Sequence, residues 1–438
     1  MNPTLPTSEP ELRVALIDDV REVPADQAWA AEMARHRVEK LAIGFARQGL
    51  TVDIYRARSP GEPVWEDLYA GVRIHRVTDR MPWPADDQSA LSQSVMSFVE
   101  RIKCLASSIY PCDAVHAWGP YAGLVGLRLT RLLRDAPFVL NMQGAGPVVT
   151  TAAEGPAQQR NLAAIESLLA HRADYLVAAS EAEQDALLNE HGPQTAETLH
   201  MVPMGVDCQT FRPGQKRQAR KELGLPQEGF IVLWGDLLQP GGTMNDATSM
   251  LKKLPEGSTH MLFIGAGMGS AQPAFSADRG RTVIDLGHPG TDCIRTLRTA
   301  YAAADVMVVP PTAQAGCGLS PREAMSCGTP VIAMGCCQND ELASVIIDGV
   351  TGYVLYRPDA APVVQLLREL QEQPQIRSAM GIAALLRART FFTWDRAANR
   401  LLDLYTRTRQ APTSPVRCHP LTLVTGSPTH GVLTPIGV

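Results

Sequence analysis

Short apolar runs alternate along this chain with longer stretches in which apolar residues recur every third or fourth position. The first run, residues 12–18, ends in acidic residues and reads as a buried strand. Residues 27–48 carry Met33, Val38, Leu41, Ile43 and Phe45 at helical spacing, Gly49 stops that helix, and residues 51–55 resume a strand, completing a β–α–β unit. Further strands are predicted at 71–77, 113–117, 138–142 and 174–180, with helices over 92–109 and 121–134. Residues 199–213 end in a Pro/Gly-bearing turn that suits a crossing between domains. A second alternation then places strands at 230–235, 259–265, 283–287, 305–310, 330–333 and 352–355. Residues 386–409 read as one long amphipathic helix with Phe391, Trp394, Leu401, Leu404 and Tyr405. Strands alternating with helices imply parallel sheets covered on both faces, so the pattern predicts a two-lobed, doubly wound α/β protein. Ligands of such sheets bind beyond the strand carboxyl ends, here in the cleft between the lobes.

Composition narrows the function classes. A chain of 438 residues, 45% hydrophobic and 19% charged, supports a large core and two domains. A net charge of −5 gives no reason to expect a nucleic-acid partner or an anionic membrane surface. No apolar run approaches the ~20 residues of a membrane span, and the polar stretch Met1–Pro10 has no signal-peptide pattern. The expectation is a cytoplasmic protein without stable membrane insertion, its oligomeric state unread. Nine cysteines at irregular spacing do not form a disulfide framework. Cys317, Cys327, Cys336 and Cys337 lie close in sequence but show no Cys-x2-Cys pair, which favours buried small residues over a metal.

The most informative stretch runs from Cys317 to Ala333. A Gly-bearing turn leads into a helix start, whose N–H groups and positive dipole end suit a phosphate. Glu323 follows one turn in, where a carboxylate can reach a ribose hydroxyl or simply stabilise the helix end. This run resembles the donor-binding motif of the family 4 retaining glycosyltransferases, written Glu, seven residues, Glu, then Ala-Met; the second Glu is Glu323 and the first is replaced by Ala315. Pro203-Met-Gly-Val-Asp207, Phe211-Arg-Pro213, Glu222-Leu-Gly-Leu-Pro226, Ala300 to Asp305, Gly328-Thr-Pro-Val331, Asp348 to Gly352 and Phe392-Thr-Trp394 resemble the family in the same order over residues 12–409. The mycothiol-pathway inositol transferase and sucrose-phosphate synthase groups look nearest.

The resemblance implies a GT-B fold of two Rossmann-like lobes: 1–11 a disordered N-terminus, 12–208 the acceptor lobe, 209–385 the nucleotide-sugar lobe, 386–410 a helix crossing back onto the first lobe, and 411–438 a flexible tail. It implies transfer of a sugar from a nucleotide-diphosphate donor, such as a UDP- or GDP-sugar, with retention and with neither metal nor cofactor. The acceptor expected is small and polar, an inositol, aminocyclitol or thiol, in a natural-product pathway of the antibiotic type. Donor contacts would come from Gly318, Leu319, Ser320 and Glu323, and from Gly235 and Asp236 at a strand end. Gln143 stands where the family usually has a catalytic His, and His116 ends a neighbouring strand, as a cleft base or as a satisfied structural histidine. Trp118 offers a ring to the acceptor or packs in the core, Glu32 and Met33 stand at the Gly-Gly turn of the family's first loop with Met33 expected to touch the acceptor, and Ser180 lines the cleft or caps a helix. The family's two diphosphate-neutralising cations are replaced by Asp236 and Gly241, leaving Arg279, Arg281 and Arg322 as substitutes or as surface residues. The altered positions open a second reading, a non-catalytic protein of the same fold that binds a nucleotide sugar or partners an active transferase.

Overall fold

A computed structural model describes residues 12–18, 28–59, 61–77, 88–105, 112–133, 136–142, 156–235, 243–254, 258–264, 274–278, 280–287, 292–310, 319–336 and 341–410. The N-terminal residues 1–11, the tail 411–438, and Gln143, Asp236, Gly241, Arg279, Ala315 and Gly318 lie outside them.

The first lobe runs β1 (Arg13–Ile17), α1 (Ala28–Arg47), β2 (Thr51–Ala57), β3 (Trp65–Tyr69), β4 (Val72–Val77), α2 (Gln88–Leu105), β5 (Ala114–Trp118), α3 (Gly119–Thr130), β6 (Phe138–Asn141), α4 (Pro156–Ala170), β7 (Tyr175–Ala178), α5 (Glu181–His191) and β8 (Leu199–Met201). Its strands form an eight-stranded sheet of order β3-β4-β2-β1-β5-β6-β7-β8, parallel except for β3. The second lobe runs α6 (Lys216–Glu222), β9 (Phe230–Trp234), α7 (Thr243–Lys253), β10 (Thr259–Phe263), β11 (Ala274–Asp278), β12 (Arg281–Asp285), α8 (Cys293–Ala303), β13 (Val306–Val309), α9 (Pro321–Ser326), β14 (Val331–Met334), α10 (Glu341–Val345), β15 (Gly352–Leu355), α11 (Ala360–Glu372) and α12 (Pro374–Phe391). Its sheet has the order β11-β12-β10-β9-β13-β14-β15 and is parallel except for β11. The last element, α13 (Trp394–Gln410), returns to the first lobe.

The fold follows from where the apolar residues sit. The central strands β1, β5, β9 and β13 are near-continuous apolar runs buried on both faces, as a parallel sheet between helix layers requires. The predicted alternation is the observed one. Leu199–Met201, the start of the expected crossing, is strand β8, and two further features differ. Edge strands β3 and β11 pair antiparallel, and β3 is exposed along one face, with Trp65 beneath the Arg73 guanidinium at 4.9 Å. The helix expected over 386–409 is two helices, α12 ending at Phe391 and α13 starting at Trp394.

The break is where the chain crosses between lobes for the second time. Val206 in the first crossing donates its N–H to Phe392 O at 2.7 Å, so the two crossings run side by side. The Thr393 carbonyl accepts the N–H groups of Arg396 and Ala397 and restarts the helix. From there Trp394, Ala397, Ala398, Leu401, Leu404 and Tyr405, spaced three or four apart, bury one face of α13 against Val14, Leu16, Val38 and Phe45 of the first lobe.

Candidate active site

In the first lobe α1 follows the carboxyl end of β1, and in the second α9 follows that of β13. Glu323 is the third residue of α9 and is buried. Tyr301, fully buried on α8, donates its hydroxyl to Glu323 Oε2 at 3.1 Å and accepts the Ser320 N–H at 2.9 Å. The phenol thus joins the start of α9 to its first-turn carboxylate. Burial pushes the Glu323 carboxyl above its ordinary pKa, with Arg37 and Tyr301 acting in the opposite direction. Leu319 is buried in the lobe's core, so its side chain is structural. The Ser320 N–H, expected to be open to a donor phosphate, is already engaged by Tyr301.

Across from Glu323 stands the first half of α1. Arg37 Nη2 lies 4.0 Å from Glu323 Oε1. Lys40 Nζ and His36 Nε2 lie 3.0 and 3.5 Å from Asp207 Oδ2. The other oxygen of Asp207 accepts the N–H groups of Gln209 and Thr210, which fixes the turn at the crossing. Burial pushes the Asp207 carboxyl up, but its contacts with His36, Thr210 and Lys40 outweigh that and hold it well below the usual carboxylate range. Met33 is buried in the second lobe's cluster, and the Cys293 thiol donates to the Trp29 carbonyl at 3.6 Å, so α1 is docked on α8 by its first turns. Met33 is therefore a packing residue between the lobes, away from the acceptor role expected of it.

Three other expected residues are occupied elsewhere. His116 is fully buried, its Nδ1 2.6 Å from the Tyr405 hydroxyl and its Nε2 2.6 Å from Asn141 Oδ1. Asn141 Oδ1 can only accept, which makes Nε2 the donor and Nδ1 the acceptor of the Tyr405 proton. Both nitrogens are used by one neutral tautomer, and burial pushes its pKa down to about 3. Trp118 stacks on that imidazole at 3.9 Å and is buried with Trp394 and Tyr405, so its ring is not presented to a ligand. Ser180 caps α5: its Oγ accepts the Glu183 N–H at 3.1 Å, while Glu183 Oε2 accepts the Ala179 N–H. Gly235 is buried where a Cβ would sit 3.0 Å from Val308 O and 2.6 Å from the Met307 methyl, a tight fit against strand β13.

The expected cations also resolve. Arg281 donates to the carbonyls of Leu251 and Lys252, and the Arg322 guanidinium lies 5.3 Å over the Phe392 ring. Sequence reasoning missed Tyr301 and Arg37. Tyr301 stood inside a family phrase, Ala300 to Asp305, whereas nothing in the pattern set Arg37 apart from Arg35 beside it. Among the described residues, no group of three or more His, Cys, Asp or Glu side chains could hold a metal, and no helix is long and apolar enough to cross a membrane.

Comparison with known proteins agrees with this layout. Residues 34–205 match the family described as glycosyl transferase 4-like domain, and residues 243–373 match glycosyl transferases group 1. The D-inositol 3-phosphate glycosyltransferase 1 of Catenulispora acidiphila is 32% identical over 390 residues, 84% of this chain and 89% of that protein. The D-inositol 3-phosphate glycosyltransferase of Mycobacterium leprae is 30% identical over 380 residues, 84% of this chain and 86% of its own length. Among solved structures, the sucrose-phosphate synthase of Thermosynechococcus elongatus superposes with a TM-score of 0.65 at 22% identity, covering 92% of this chain and all of that one. HepE of Anabaena in complex with UDP-glucose gives 0.62 at 16% identity, over 91% of this chain and all of that one. The chain belongs to the family 4-like glycosyltransferases of GT-B fold.

Proposed function

We propose that this protein transfers a sugar from a nucleoside-diphosphate donor, seated in the second lobe (209–385), to a small polar acceptor held by the first (12–208). The observation that carries this reading is Glu323, a buried carboxylate held in place by Tyr301 at the carboxyl end of the second sheet, facing the other lobe. A carboxylate so placed accepts the two hydroxyls of a ribose. The relatives named for D-inositol 3-phosphate make an inositol phosphate the first acceptor to try, ahead of aminocyclitols and thiols. The structures solved with UDP and UDP-glucose make uridine the first base. The transfer is read as retaining and metal-independent: the leaving diphosphate takes the acceptor's proton on the face the acceptor attacks from, while the lobes hold both substrates in register. Both substrates belong to the cytoplasm.

The reading of a non-catalytic donor binder is favoured by one cluster of facts. His116 has no open nitrogen, Ser320 has no open N–H, and Asp236, Gly241 and Ala315 replace groups that handle charge in the family. The test is calorimetric titration of the full chain with UDP, GDP and ADP, followed by mass spectrometry of incubations with the matching sugar nucleotides and inositol phosphate. One diphosphate should bind, and Glu323→Ala should weaken it by about 1.5–3 kcal/mol, tenfold or more, as expected for hydrogen bonds to a charged group. Binding without any transferred sugar selects the non-catalytic reading. No binding of any diphosphate ends both.

A further inference from the structure

Breaking a glycosyl–phosphate bond develops negative charge on the leaving diphosphate, which fixed cations must stabilise. Of the cations expected within the second lobe, the two among the described residues are used elsewhere: Arg281 holds two backbone carbonyls and Arg322 lies over Phe392. A guanidinium that does reach the donor carboxylate comes from the opposite lobe. Met33, His36, Arg37 and Lys40 lie three or four apart on α1 and so share one helix face. Met33 is buried in the second lobe's core, and His36 and Lys40 grip Asp207. The helix is thereby pinned on either side of Arg37, whose side chain is 18% exposed and aimed at Glu323. The 4.0 Å gap between them is long for a direct charge-assisted hydrogen bond. A ribose hydroxyl fits between them, donating to the Glu323 carboxylate and accepting from the Arg37 guanidinium at about 2.8 Å each, which leaves the phosphate side of the ligand next to Arg37.

Resting on the donor reading above, we propose that Arg37 is a donor-positioning residue: it reaches across the cleft to the phosphate side of a nucleotide whose ribose sits on Glu323, and so brings the acceptor lobe into donor recognition. A guanidinium suits this place because its planar fork matches phosphate oxygens and keeps its charge at every working pH. Charge missing from one lobe is then supplied by the other, and only when the two are together.

The test uses the full chain and the diphosphate among UDP, GDP and ADP that wild type binds, titrated beside its parent nucleoside. Arg37→Ala should weaken the diphosphate roughly tenfold or more and the nucleoside less than about twofold, the difference expected of a lost charged contact. It should also flatten the salt dependence of diphosphate binding. If Arg37→Ala does not fold, Arg37→Lys decides, because it keeps the charge and loses the fork: a loss of about threefold or more, confined to the diphosphate, supports the proposal. Unchanged or tighter diphosphate binding overturns it, since Arg37 would then be only a tie to Glu323. So does equal weakening of diphosphate and nucleoside, which marks a packing role. If wild type binds none of the three diphosphates, the donor reading itself fails and the proposal falls with it, a result separable from wild-type binding that Arg37 variants leave unmoved.

Discussion

One phenol holds the Glu323 carboxylate. Tyr301 is the shared partner of the Ser320 N–H and the Glu323 carboxylate, so Tyr301→Phe leaves a buried donor and a buried acceptor with one partner fewer each. The expected cost is about 1–3 kcal/mol of stability, read by urea unfolding, with a rise in the donor KM because Glu323 loses its brace. His116 makes a different prediction. Its folded pKa is depressed to about 3, so the unfolded chain binds the extra proton as pH falls below the ordinary histidine range. Stability should be flat above about pH 6.5 and fall by about 1.4 kcal/mol per unit below it, from this group alone. His116→Gln should reduce that slope between pH 6.5 and 5, and a slope left intact would show that His116 does not set it. Glu323 was legible because it sits in a run of turn, helix start and strand with its own local logic. For His116 and Trp118 the structural and the ligand-facing readings stayed open for one shared reason. Position at a strand end gives the height of a residue in the sheet but not what lies over it. His116 and Trp118 share the face that α13 covers, and α13 lies more than 270 residues on in the chain.

The central strands of both lobes announce themselves, because a strand buried on both faces must be a continuous apolar run. What escaped were the elements with less to bury. The edge strand β3 alternates exposed and half-buried residues, and its aromatic rings Trp65 and Tyr69 face solvent. The break at Phe392 was hidden because α12 and α13 each have helical spacing, and only the pairing with Val206 marks the seam. Asp305, part of a family phrase, is an anchor and not a reagent: it accepts from Lys216, Arg220 and the Ile231 N–H, tying α6 to the start of β9. The seam supplies its own prediction. A Cβ at Gly205 would stand 2.7 Å from the Trp394 backbone nitrogen, too close without parting the two crossings. Gly205→Ala should cost about 1–3 kcal/mol, the range for overpacked sites, measured as a shift in urea midpoint. An unchanged midpoint would show that the seam gives way freely.

At the scale of the molecule, the two lobes are joined by paired chain crossings and by one stripe of α1. Lys40 and His36 on Asp207, with Arg37 near Glu323, are the polar contacts on that stripe. Asp207→Asn should loosen the tie between α1 and the first crossing, seen as faster protease cleavage near residues 203–213 with the far strands unaffected. Unaltered cleavage would show that the Lys40 and His36 contacts do not hold the crossing in place. The return of α13 has a consequence for how the protein is made. The first lobe is synthesised first, yet the helix that completes its core is the last described element to leave the ribosome. Throughout synthesis of the second lobe, the nascent first lobe carries an uncovered apolar strip that includes Leu16, Val38 and Phe45, and His116 waits for Tyr405. Folding from the N-terminus therefore cannot finish in order, and a chain halted at residue 393 should be a client for chaperones where one ending at residue 410 is not.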